Sequence, residues 1–111
     1  MKKGIIATSC FAILLLAGSR VIAAPPAGDA EKGKAVFEDN CAVCHNADSE
    51  EKKMGPGLKG LFKRAKLNSG KPVNEANVKA LITDGSGAMP PFGDAISSED
   101  KDNIIAFLKT L

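Results

Sequence analysis

The stretch Cys41-Ala42-Val43-Cys44-His45 decides how the rest of this chain is read. Its C-x-x-C-H spacing reads as covalent attachment of a c-type haem. Two thiols so placed can bond to the two vinyl-derived carbons on one edge of a porphyrin. The next residue, His45, is then held under the ring, where its imidazole can reach the iron. A bare C-x-x-C would also suit half of a zinc site or a thioredoxin-like redox pair. A four-ligand zinc site needs two more Cys or His, and outside this motif the chain offers only Cys10. A thioredoxin-like pair wants a βαβ context, and no strand-like alternation is present to supply one.

The N-terminus has the three parts of a secretory signal peptide. Lys2 and Lys3 form a positive start, Gly4 to Gly18 is almost wholly apolar, and Ala23 and Ala24 are small residues suited to cleavage. A spanning helix needs about 20 apolar residues, and this run is shorter, so no stable membrane anchor is expected. Cys10 precedes the bulk of the apolar run, whereas a lipid-bearing cysteine would follow it. The expected division is a cleaved leader over residues 1–24 and one small domain over residues 25–111. Such a leader places the product in the periplasm, where haem is loaded after export.

Cleavage also changes the charge. The leader holds Lys2, Lys3 and Arg20 and no acid, so the remainder carries 12 basic and 13 acidic residues of the chain's 15 and 13. The basic pI therefore belongs largely to the leader and gives no argument for a nucleic-acid partner. Chains of this size bury a modest core and often need a staple. Haem would supply one, and the apoprotein is expected to be largely unfolded.

Helical signals account for the rest. Asp29 is placed to cap a helix over roughly residues 30–40, with Glu31 in its first turn and Ala30, Gly33 and Phe37 on one face. A glycine inside a helix costs about 1 kcal/mol relative to alanine, so close approach of another helix is expected at Gly33. Residues 46–53 read as a solvated charged loop, and Met54-Gly55-Pro56-Gly57-Leu58 as a fixed turn. A short helical turn is expected within 59–66. A helix of about ten residues follows Asn74, with Val78, Leu81 and Ile82 buried and Gly85 as its C-terminal cap. Residues 85–93 are too rich in Gly and Pro for helix. Ser97 and Asp100 resemble a capping box for a last helix, where Ile104, Phe107, Leu108 and Leu111 recur at helical spacing. The fold expected is all-α.

With these elements in order, the chain resembles the class I c-type cytochromes from about Asp29 to Leu111. The resemblance implies a cytochrome c fold of about four to five helices wrapped around one haem, attached by two thioethers. The run Gly55-Pro56-Gly57-Leu58 with Leu61-Phe62 matches the family loop whose proline carbonyl accepts a hydrogen bond from the ligating histidine. By that match Pro56 orients His45. The resemblance also sets Gly33 and Phe37 against Ile104 and Phe107. The chain departs from the family in having no Tyr and no Trp, which many members use on a haem propionate. Lys63, Arg64, Asn68 and Lys71 are the candidates to replace them.

His45 is the only histidine, so a second histidine ligand within the chain is excluded. Met54 lies just before the Gly-Pro loop on the histidine side, whereas Met89 follows a helix that can carry the chain around the ring. Its Gly-Ala-Met-Pro-Pro setting matches the family's ligand loop, with Pro90 and Pro91 stiffening it. The metal ligands implied are His45 and Met89, and the cofactor-binding set is Cys41, Cys44, His45, Pro56 and Met89. Iron so ligated has no open position, which favours one-electron transfer over catalysis. The expected function is a soluble, monomeric periplasmic electron carrier and not an enzyme. The alternative is a five-coordinate haem c enzyme or gas-binding sensor. Seven basic residues and no acid between Lys52 and Lys71 suggest either a solvated face or a docking face for acidic redox partners.

Overall fold

The computed structural model describes residues 28–111. The expected leader over residues 1–24, Cys10 and the lead-in Pro25-Pro26-Ala27 lie outside the described residues. Three α-helices follow in order: α1 (Ala30–Asn40), α2 (Glu75–Asp84) and α3 (Ser98–Leu108), with a single 3-10 turn at Leu61–Lys63. Among the described residues the only β pairings are two isolated bridges, Lys66 with Pro72 and Ser86 with Met89. The architecture is the all-α one expected, and the helical turn within 59–66 narrows to three residues.

Each helix begins where a polar side chain meets its free amides. Asp29 accepts from the Glu31 and Lys32 amides, Asn74 from Asn77 and Ser97 from Asp100. Such caps stabilise a helix by about 1 kcal/mol each. At the far end of α2, Gly85 has φ 71°, and its N–H bonds to the Leu81 carbonyl. That left-handed φ is easy only for glycine.

The first and last described helices cross at a single tight point. A Cβ on Gly33 would overlap the Asn103 carbonyl and approach the Ile104 amide to 2.9 Å. The rings of Phe37 and Phe107 meet beside it, 5.4 Å apart and tilted by 56°, a geometry that adds about 1 kcal/mol to their burial. The Asp29 amide also donates to Asn103 Oδ1 at 2.8 Å, across 74 residues of sequence. This bond satisfies Asn103, which is buried on the inner face of α3. Lys79 pairs with Asp102 at 2.5 Å and Lys109 with Glu75, holding α2 against α3 at two exposed positions. The core packs Phe37, Leu61, Leu67, Val78 and Ile82 against Ile104, Ile105, Phe107 and Leu108.

Candidate functional site

Helix α1 runs straight into the C-x-x-C-H segment. Cys41 and Ala42 both donate to the Phe37 carbonyl, at 2.7 and 3.0 Å, and Cys44 and His45 both donate to the Cys41 carbonyl, at 3.0 and 2.9 Å. This tight winding brings both thiols and the imidazole to one side of the chain. All three line a cavity of about 430 Å³, together with Pro56 and Met89. Its walls are mostly apolar and include the core residues Leu67, Val78, Ile82, Ile104 and Leu108. Every cofactor-binding residue expected from the sequence therefore faces one cavity.

The cysteines are free and half-buried. Burial, reinforced by the neighbouring Cys44, pushes the Cys41 thiol up to about 11, so before any bond is made it stays a neutral thiol at physiological pH. His45 is fixed from two directions. Its Nδ1 lies 2.8 Å from the Pro56 carbonyl oxygen. A carbonyl can only accept, so Nδ1 carries the proton and Nε2 keeps its lone pair. Gly55 presses on the ring so closely that a Cβ there would overlap it. The turn is held by the Gly55 amide on the Cys44 carbonyl at 2.8 Å and the Leu58 amide on the Asn46 carbonyl at 2.8 Å. Arg64 adds a strap, its Nη2 donating to the Gly57 carbonyl at 2.9 Å and the Lys59 carbonyl at 2.7 Å.

Met89 enters from the opposite end of the sequence. It pairs with Ser86 in both directions, at 3.1 and 2.9 Å, and Phe92 donates to the Ile82 carbonyl at 2.9 Å. These bonds hold the loop on α2 and leave Met89 half-buried against the core. Met54 reaches the same cavity, but at its rim, 70% exposed, as does Val43 at 71%. Of the four residues offered in place of a Tyr or Trp, Arg64 and Asn68 line the cavity, joined by Lys66 and Ser69. Lys63 instead lines a separate open cleft with Asp48 and Glu50.

Three residues that position this site fall outside the motifs read from the sequence. Arg64 straps the Gly-Pro turn, Asn103 ties α3 to the start of α1, and Lys101 donates from α3 to the Gly93 carbonyl at 3.0 Å. For Lys101 a signal did exist, because it occupies the register of Ile104, Ile105 and Leu108 and so interrupts an apolar face.

The residues present fit a haem: an apolar cavity, two free thiols at its wall and an imidazole with one nitrogen available. A family model described as "Cytochrome C oxidase, cbb3-type, subunit III" matches residues 28–108. Cytochrome c6 from Synechocystis sp. is 37% identical over 82 residues, a match spanning 74% of this chain and 65% of that protein. Cytochrome c-554(547) from Halothiobacillus neapolitanus is 30% identical over 90 residues, covering 77% of this chain and 99% of the relative. Among solved structures, cytochrome c6 from the diatom Phaeodactylum tricornutum superposes with a TM-score of 0.61 at 27% identity, over 75% of this chain and 93% of that one.

Proposed function

This chain belongs to the c-type cytochromes, with one covalently attached haem c, and from that premise we propose that it is a periplasmic one-electron carrier with His45 and Met89 as axial ligands. The observation that carries the reading is the bond from His45 Nδ1 to the Pro56 carbonyl, which leaves Nε2 free in the cavity that Met89 also lines. When bound, the haem supplies an iron that takes up and releases one electron.

The chain's own residues do the rest. Cys41 and Cys44, free thiols at the cavity wall, would hold the haem through two thioether bonds. Pro56 holds His45 in one tautomer and raises its basicity as a ligand. Met89, a thioether, favours the reduced state relative to a second histidine and so raises the potential. The mostly apolar wall would limit the access of water to a bound haem. An iron held by both His45 and Met89, each on a backbone-anchored turn, would have no position open to a substrate, which is why we read a carrier and not an enzyme.

Residues 1–24 act as a cleaved leader in this reading, and the mature protein begins at Pro25. Lys52 to Lys71 form a basic face for transient docking of acidic redox partners; such contacts are small. Among the described residues no helix is long and apolar enough to cross a membrane.

The deciding experiment is spectroscopic. The oxidised protein, purified from the periplasm, should show the near-infrared methionine-to-iron charge-transfer band, and its mass should correspond to residues 25–111 plus one haem. A high-spin spectrum with ready CO binding after reduction would instead support a five-coordinate enzyme or sensor.

A further inference from the structure

Lys101 is 6% exposed, in the helical register of Ile104, Ile105 and Leu108, where α3 is otherwise apolar. A lysine there carries the penalty of removing an ammonium group from water, and an aliphatic residue of similar volume would pack without it. What the ammonium does is donate to the Gly93 carbonyl at 3.0 Å. Gly93 closes the segment that contains Met89. The residue before it, Phe92, lines the same cavity as Met89 and is held to α2 through the Ile82 carbonyl. The downstream end of the methionine segment is thus held from two helices, by a backbone bond to α2 and by one buried side chain from α3. On the upstream side, Gly85 donates to the Leu81 carbonyl, again on α2. Lys101 is therefore the side-chain bond that ties this segment to the helix packed across α1.

We infer that Lys101 is a positioning residue for Met89: its bond to Gly93 keeps the methionine segment seated, at some cost to the stability of the fold. The inference rests on Met89 being an iron ligand. The test compares the haem-loaded wild type with K101M and K101R at one fixed pH. Three quantities are read: the near-infrared band of the oxidised form, the rate of cyanide binding to it, and the melting temperature.

K101M keeps the volume and loses the donor. It is expected to bind cyanide roughly tenfold faster, since displacement of the methionine needs only local opening, with a weakened band and a melting temperature equal to or above wild type. K101R keeps a donor and should stay within about threefold of the wild-type rate. A K101M rate within about twofold of wild type overturns the inference, as does an acceleration matched by K101R or accompanied by a fall in melting temperature. If K101M is not recovered loaded with haem, K101L is read by the same criteria. Failure of both assigns Lys101 to the fold alone and also overturns it. A wild type that lacks the band refutes ligation by Met89 itself, a result distinct from all of these.

Discussion

Gly33 in α1 meets the Asn103 carbonyl in α3 with no room for a side chain between them. Alanine at this position gains about 1 kcal/mol of helix propensity, yet it must push two backbones apart at the centre of the core. Overpacking of this kind costs about 1–3 kcal/mol, and here backbone rather than a flexible side chain has to give. Gly33→Ala is expected to lower stability by about 2 kcal/mol, measured as a lower denaturation midpoint of the haem-loaded protein. A midpoint equal to or above wild type would show that the crossing is looser than described.

Gly55 touches the other face of the problem, the ring of His45. In Gly55→Ala the imidazole has to leave its place or the turn has to open, and either change disturbs the bond to the Pro56 carbonyl. The expected outcome is a reduction potential higher by roughly tens of millivolts, because losing that bond makes the imidazole a less basic ligand and the oxidised state less favoured, together with a lower yield of haem-loaded protein. Potentiometry on the purified variant checks it. An unchanged potential would mean that the ring orientation is set elsewhere.

The two methionines near the cavity separate cleanly. Met89→Ala should abolish the near-infrared band, make the reduced protein bind CO and lower the potential by about 100 mV or more. Met54→Ala, at an exposed position on the rim, should leave the band in place. Loss of the band in the Met54 variant with retention in the Met89 variant would reverse the ligand assignment.

Lys63 and Lys66 are both exposed in the basic stretch. Reversing both to Glu should slow electron exchange with an acidic partner roughly tenfold at low ionic strength. At about 0.5 M salt, where exposed charges are screened, the difference should shrink below about twofold. Stopped-flow measurements at the two ionic strengths decide it, and an equal rate at low salt removes the docking role.

What could be read from the sequence was whatever a helix end or a helix face encodes locally. Asp29, Asn74 and Ser97 each cap the helix that follows within a few residues, so the bounds of α1 at 30–40 are legible in its own residues. The C-x-x-C-H segment, Pro56 and Met89 carried their own chemistry, and all reach the cavity. Lys101 and Asn103 carry no such chemistry in their neighbours along the chain. Their burial depends on Gly93 and Asp29, which the fold brings to them from elsewhere in the chain. The loop over 46–53 looked unconstrained for the same reason. Its order comes from partners such as the Ala42 carbonyl, which Lys53 reaches at 3.0 Å, and from the Asn46 side chain on the Glu51 carbonyl at 3.0 Å.

The clasp between Asp29 and Asn103 also sets a sequence of events. It joins positions 74 residues apart, and closing a loop of that length costs on the order of 4 kcal/mol in chain entropy. Ile104 and Leu108, which form part of the cavity wall, arrive with the same helix. Under the proposed export, a chain threaded N-terminus first presents residues 41–45 before the helix that completes this wall. In that reading the thiols stay open to haem until the last helix docks, and the order of threading sets the order of loading.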